Sequence, residues 1–141
     1  MTALLDEGQA TLLIEAAREA ATRAYAPYSG FPVGAAVLTD DGTVGTGCNV
    51  ENASYGLTVC AERVAVWSVV AAGARAVRAV AVVAPKATGA TPCGACRQVL
   101  REFVPAAGEL IVVLEGGDGP VQLPLSSLLP RSFGPDDLRR A

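Results

Sequence analysis

The choice of catalytic or metal-binding side chains in this sequence is narrow. Its 141 residues include four cysteines and no histidine. The cysteines are Cys48, Cys60, Cys93 and Cys96. The lack of histidine excludes Ser–His–Asp and Cys–His nucleophilic machinery, and any zinc site that depends on imidazole. A metal must therefore be held by sulfur or oxygen, and proton transfer falls to Glu, Asp, Lys, Tyr or Cys.

Two short motifs carry three of these cysteines, Cys60-Ala61-Glu62 and Pro92-Cys93-Gly94-Ala95-Cys96. Both motifs are predicted to lie in the first turn of a helix, where free N–H groups and the helix dipole favour a thiolate. Three thiolates converging from two helix starts would form a tetrahedral zinc site with one open position, which is typical of catalytic zinc. A lone Cys-x-x-Cys pair also fits a redox dithiol, so this spacing leaves both interpretations open.

Glu62 lies on an otherwise apolar predicted helix. Its carboxylate is therefore either solvated at the helix end or held beside a metal-bound water for which it moves protons.

Cys48 alternates with apolar residues in a predicted strand. We interpret it as a buried, inert cysteine outside the metal site.

The remaining pattern predicts the elements that position these motifs. A hairpin is expected around Asp40-Asp41-Gly42, with Thr58 as the N-cap of the second helix and Thr91 as the N-cap of the third. The predicted helices cover residues 9–24, 59–72, 92–103 and 126–129, and the predicted strands cover residues 33–38, 44–50, 79–84, 110–114 and 121–123. This order indicates an α/β fold, with residues 1–141 in one three-layer α/β/α domain and a mixed sheet of about five strands.

Composition excludes several classes of function. Eleven basic residues against fourteen acidic ones give a net charge of -3, which argues against capture of nucleic acid. No apolar run is long enough to span a bilayer, and Met1 leads into Asp6 and Glu7 rather than into a signal peptide. We therefore expect a cytoplasmic protein that engages neither nucleic acid nor a membrane.

Beyond these features, the chain resembles the small, homotetrameric, three-cysteine type of cytidine deaminase over nearly its whole length. The matching stretches are residues 27–36, 47–53, 60–63, 92–98 and 128–133. The pattern is the three-cysteine variant of the H-x-E…P-C-x-x-C signature of zinc deaminases.

The resemblance implies one Zn²⁺ per chain, held by Cys60, Cys93 and Cys96 with water as the fourth ligand. It implies that zinc hydroxide attacks C4 of cytidine or deoxycytidine while Glu62 shuttles protons, which yields uridine or deoxyuridine and ammonia. It also implies a homotetramer with active sites at subunit interfaces and a role in pyrimidine salvage.

The same resemblance assigns the substrate contacts. Asn49 and Glu51 would hold the ribose with the backbone of Val50 nearby, although such residues also cap loops. Phe31 would pack against the pyrimidine, and Phe133 would do so from a neighbouring subunit, with ordinary core packing as the alternative for both.

Two arginines directly follow the ligand motifs. A guanidinium nearby would offset the negative charge of three thiolates around Zn²⁺. The resemblance implies that Arg63 bonds to the ligand sulfurs, whereas for Arg97 a solvated surface position is the alternative.

Three competing functions remain at this point. The first is a deaminase of another small amino-heterocycle, such as the blasticidin type, although Asn49-x-Glu51 favours a nucleoside. The second is a structural-zinc or redox protein that uses Cys93 and Cys96 as a dithiol, which leaves Glu62 without a role. The third is a non-catalytic nucleoside-binding module, which an intact Glu62 disfavours.

Overall fold

The computed structural model describes residues 4–139, which contain five helices and one sheet of five strands. In chain order the elements are α1 (Glu7–Ala21), β1 (Gly34–Thr39), β2 (Val44–Cys48), a 3₁₀ turn at Tyr55–Leu57, α2 (Ala61–Ala71), β3 (Val77–Val83), α3 (Gly94–Arg101), β4 (Ile111–Gly116), β5 (Gly119–Pro124), α4 (Leu125–Leu128) and α5 (Pro135–Leu138). No helix within residues 4–139 is long and apolar enough to cross a membrane.

The sheet is mixed, with its strands in the order β2-β1-β3-β4-β5. β3 and β4 are parallel, and the other neighbouring pairs are antiparallel. The predicted hairpin between β1 and β2 is present, and Gly42 adopts a φ of 91° in its turn. Such a left-handed conformation is readily available to glycine.

Side chains alternate between the two faces of the central strands, and each face is covered by helices. One face packs against α1 through Ala36, Leu38, Ala79, Ala81, Val83, Ile111 and Val113. The other packs against α2 and α3 through Ala35, Val37, Val80, Val82, Val112 and Leu114. The predicted three-layer α/β/α architecture is therefore confirmed.

The first helix differs from its prediction at both ends and in its buried face. It begins at Glu7 because the Asp6 side chain caps it, accepting a hydrogen bond from the Gln9 amide at 2.8 Å. Leu12, predicted on the apolar face, is 66% exposed, whereas Ile14 is buried. The face that meets the sheet consists largely of alanines, and these let the helix approach the strands closely.

The predicted caps of α2 and α3 are wrong by two residues in each case. Cys60 and Cys93 are the N-cap residues, with extended ψ angles of 154° and 170°. The Thr58 hydroxyl instead accepts a hydrogen bond from the Asn52 amide at 3.1 Å. A cysteine at each N-cap places its sulfur beside the free amides of the first helical turn.

Candidate active site

The starts of α2 and α3 meet at one edge of the sheet. At this edge Gly34, the first residue of β1, pairs with Cys48 at the end of β2 and with Val83 at the end of β3. The segments leading into both helices therefore converge beside the same strand ends, as the sequence motifs required.

The three predicted ligand sulfurs form one cluster. The sulfur atoms of Cys60, Cys93 and Cys96 all lie within 4.8 Å of one another, and those of Cys60 and Cys93 are 3.9 Å apart. Tetrahedral zinc with Zn–S bonds of about 2.3 Å separates its sulfurs by roughly 3.8 Å, so the cluster fits the ion. Cys48 lies outside the cluster, as expected, but it is half-buried rather than buried and its sulfur contacts the Arg23 carbonyl at 3.4 Å.

The sulfur cluster is polarised by Arg63. The Nη2 atom of Arg63 donates to the Cys60 sulfur at 3.2 Å. Hydrogen bonds from the Cys96 thiol and from Arg63 lower the pKa of Cys60, while the bond to Cys60 and burial raise the pKa of Cys96. Within the described residues, Arg63 Nε is a buried donor without an acceptor. The guanidinium of Arg63 can therefore stabilise more negative charge at this cluster than that of a single thiolate.

Glu62 is buried rather than solvated. Its side chain is 4% exposed, one position after the first residue of α2. Because burial removes water from the carboxylate, the pKa of Glu62 rises to about 7, and the nearby Cys60 thiolate adds to the shift. The interpretation of Glu62 as a solvated helix-end residue is therefore wrong.

A cavity of about 210 Å³ opens directly onto this cluster. Five predicted site residues line it, Phe31, Asn49, Cys60, Glu62 and Cys93. The cavity is also lined by Thr58 and Thr91, which the sequence interpretation assigned only as helix caps. Polar residues just before each cysteine motif were the available signal for them.

Asn49 and Glu51 hold the loop that carries Phe31. The amide oxygen of Asn49 accepts from the Val33 amide at 2.9 Å, and its nitrogen donates to the Phe31 carbonyl at 2.9 Å. The Glu51 carboxylate accepts from the amides of Tyr28 and Ser29, at 2.9 and 3.0 Å, and from the Ser29 hydroxyl.

Glu51 is held in its charged form and lines a cavity next to the one at the sulfur cluster. The hydrogen bonds from Ser29 lower the pKa of Glu51, which keeps its carboxylate ionised. Glu51 lines a second cavity of about 380 Å³, and Thr58 borders both cavities. Ser29, which no motif singled out, thereby joins the loop to the site.

The other two predicted substrate contacts, Val50 and Phe133, do not line these cavities. The backbone N–H and carbonyl of Val50 pair with Val59, at 3.0 and 2.9 Å, which ties Val50 to the segment before Cys60. Phe133 is 59% exposed and its carbonyl accepts from Gln98 at 2.9 Å. Neither residue lines the 210 Å³ cavity of its own chain.

A larger cavity lies elsewhere in the described part of the chain. It measures about 810 Å³ and is lined by the loops before β3 and β4 and by the C-terminal segment, including Arg75, Arg101 and Glu109. None of the predicted site residues lines it. The chemistry-bearing residues therefore define the smaller cavity as the candidate active site.

Comparison with known proteins agrees with this geometry. The sequence profile of the cytidine and deoxycytidylate deaminase zinc-binding region matches residues 8–113. The chain belongs to the cytidine and deoxycytidylate deaminase family of zinc-binding enzymes.

Similar relatives include two bacterial cytidine deaminases. The protein from Sporosarcina psychrophila is 45% identical over 130 residues, covering 92% of this chain and 94% of the relative. The protein from Halalkalibacterium halodurans is 48% identical over 128 residues, covering 90% and 96%. Among solved structures, the cytidine deaminase from Burkholderia pseudomallei aligns with a TM-score of 0.79 at 50% identity, covering 87% of this chain and 98% of that one.

Proposed function

We propose that this chain, folded as one catalytic domain over residues 1–141, is a cytidine deaminase that converts cytidine and deoxycytidine with water to uridine and deoxyuridine plus ammonia. One observation carries the proposal: the buried Glu62 carboxyl and the sulfur cluster face the same cavity as Phe31 and Asn49. A redox dithiol or a structural zinc site has no use for a buried carboxyl in a cavity.

Cys60, Cys93 and Cys96 would hold one zinc ion. Zinc so bound supplies Lewis acidity that activates water near neutral pH. Arg63 donates to the Cys60 sulfur and so offsets the surplus negative charge of three thiolates. Cys60 and Cys93 line the cavity whereas Cys96 is buried, so the cluster meets the cavity at Cys60 and Cys93.

Glu62 would carry the proton. With a pKa of about 7, its carboxyl exchanges a proton readily at neutral pH. It would take one proton from the attacking water and deliver it to N3 of the pyrimidine, then take the second proton from the hydroxyl formed on C4 and deliver it to the departing ammonia. Its burial excludes bulk water from this exchange.

Asn49 and Glu51 would bind the ribose while they hold the loop. An amide oxygen accepts two hydrogen bonds and an amide nitrogen donates two, and in Asn49 each makes one bond to the loop. A carboxylate has about four acceptor positions, and the loop occupies three in Glu51. Each side chain therefore keeps capacity for a sugar hydroxyl, with the backbone of Val50 alongside.

The aromatic contacts would come from two chains. Phe31 lines the cavity of its own chain and would pack against the base. Phe133, exposed and outside that cavity, would complete the site of a neighbouring subunit in a homotetramer. We place the enzyme in cytoplasmic pyrimidine salvage.

The test is ammonia release from cytidine by zinc-loaded protein, with Glu62→Gln as the matched variant. Glu62→Gln keeps the size of the side chain and should keep the zinc, yet lose roughly 10²–10⁴-fold in kcat. Wild-type protein that binds one zinc per chain and leaves cytidine and deoxycytidine intact would contradict the proposed substrate. A screen of other amino-heterocycles would then identify the substrate.

A further inference from the structure

Arg97, whose role the sequence left open, makes three hydrogen bonds from one guanidinium. Its Nε donates to the Pro92 carbonyl at 2.7 Å, and its Nη2 donates to the Thr91 hydroxyl at 3.2 Å. Its Nη1 donates to the Leu128 carbonyl at 2.7 Å. A single planar group thus bridges the segment before Cys93 and the end of α4.

Few hydrogen bonds other than those of Arg97 fix this segment, although Pro92 itself is buried. Pro92 lacks an N–H, the Cys93 side chain makes no capping bond, and Gly94 has no heavy atom within 4 Å of where a Cβ would be. Among the described residues, the single backbone hydrogen bond of this segment runs from the Arg97 N–H to the Cys93 carbonyl at 2.9 Å. Cys93 is also the exposed member of the sulfur cluster.

The hydrogen-bond partners of Arg63 and Arg101 differ from those of Arg97. Arg63 contacts a ligand sulfur directly, so it acts on the charge of the cluster. Arg101 lies one helical turn after Arg97 and donates to the Ser132 hydroxyl at 2.9 Å. Arg101 thus bonds the C-terminal segment as Arg97 does, but it makes no hydrogen bond to the segment before Cys93.

We infer that Arg97 is a positioning residue for the metal centre, fixing the Cys93 sulfur by bonding the backbone just before it to α4. The inference rests on the proposed zinc site and deepens it. Arg97 does not line the 210 Å³ cavity, and its guanidinium bonds to the Pro92 carbonyl and not to a sulfur. The planar fork of arginine suits this role because it reaches three acceptors at fixed angles, whereas lysine presents one compact charge.

The experiment compares Arg97→Met with Arg101→Met, its matched control on the same helix. Zinc affinity is measured by competition with a chromogenic chelator, without substrate, and the cobalt-substituted proteins are compared by absorption. Loss of a residue that orients a ligand costs about 10–100-fold in metal affinity. Arg97→Met should show such a loss with altered sulfur-to-cobalt bands, while Arg101→Met should stay within about threefold of wild type.

Arg97→Lys keeps the proposal testable if Arg97→Met misfolds. It also distinguishes the effect of losing the guanidinium geometry from the effect of losing the positive charge. It keeps the charge and most of the stem, and it should still lose roughly tenfold in zinc affinity because it replaces one bond of three. Wild-type affinity in Arg97→Lys, or equal affinities and cobalt spectra in Arg97→Met and Arg101→Met, would overturn the inference. Because no substrate is present, wild-type protein that binds zinc but deaminates no cytidine would refute the proposed function and leave this comparison valid.

Discussion

Gly47 of β2 lies so close to Ala65 of α2 that no side-chain atom fits between them. A Cβ on Gly47 would be 2.5 Å from the Ala65 amide nitrogen and 2.7 Å from the Ala61 carbonyl oxygen. Both contacts are with main chain, which cannot rotate away. This approach seats the first turn of α2, and with it Cys60 and Glu62, against the sheet.

Gly47→Ala should therefore destabilise the fold and displace the site together. Because the clash is with helix backbone, we expect a loss of at least about 2 kcal/mol in the free energy of unfolding, measured by urea titration. Gly108→Ala is the matched control, since its Cβ meets no atom within 4 Å, and it should change stability by less than about 1 kcal/mol. Equal stability of the two variants would refute the close approach.

Arg63→Met should weaken zinc binding without unfolding the protein. It removes the donor to the Cys60 sulfur, and a hydrogen bond to a charged group contributes about 1.5–3 kcal/mol, or roughly 10–100-fold in affinity. Arg75→Met is the control, because Arg75 donates to the carbonyls of Val70 and Ala74, away from the sulfur cluster. The zinc affinities of both variants are measured by competition with a chelator. Equal affinities would count against a role for Arg63 at the metal.

Ser29→Ala should raise KM for cytidine more than it lowers kcat. The Ser29 hydroxyl donates to Glu51 and accepts from the Phe31 amide at 3.0 Å, so it links the proposed sugar-binding carboxylate to the proposed base-packing ring. Loss of one hydrogen bond of about 1 kcal/mol corresponds to roughly a fivefold rise in KM.

Steady-state kinetics on Ser29→Ala and Ser127→Ala provide the comparison. Ser127 donates to the Pro124 carbonyl at the start of α4 and should leave both constants unchanged. A fall in kcat at constant KM in Ser29→Ala would show that the loop acts on the chemical step instead of on binding.

Asp41 should contribute stability at neutral pH that disappears in acid. Hydrogen bonds from the Thr39 hydroxyl and from Thr43 hold the pKa of Asp41 below its ordinary value of 3.8. A lowered pKa stabilises the folded state above the ordinary value, and that contribution is lost as the pH falls through the folded value.

Thermal melts of wild type and Asp41→Asn between pH 7 and pH 2.5 test this. Asp41→Asn should melt lower than wild type at pH 7, and the gap should close below about pH 3.8. Asp40→Asn, which removes the same charge one residue away, should follow wild type at pH 7. A gap for Asp41→Asn that stays constant across this range would mean that the carboxylate charge is irrelevant to the turn.

The sheet and helices could be predicted from the sequence because they follow from local periodicity. The apolar runs at residues 79–84 and 110–114 became the parallel central pair, and the Asp40-Asp41-Gly42 turn joined β1 to β2. Helix starts were predicted less well. Thr58 and Thr91 are good caps by residue type, but the chain turns into each helix two residues later, at the cysteine.

The set of sulfur ligands could also be predicted from the sequence. Two short motifs contain three cysteines and one glutamate, and without histidine few other metal-ligand sets are available. The burial of Glu62 could not be predicted, because a carboxylate near a helix start is usually solvated. Its environment depends on the loop of Phe31 and the segment before Cys93, which are remote along the chain. The pKa of about 7 follows from that burial.

Residue types and their spacing by themselves predicted the fold class and a possible three-sulfur site, and the resemblance carried by the motifs indicated the family. Tertiary structure alone decided which polar groups hold those residues in place. The sequence assigned no definite role to Arg97 or Ser29, yet each connects segments that are distant along the chain. A hydrogen bond depends on distance and direction between groups, and the chain brings these groups together only when the helices pack on the sheet.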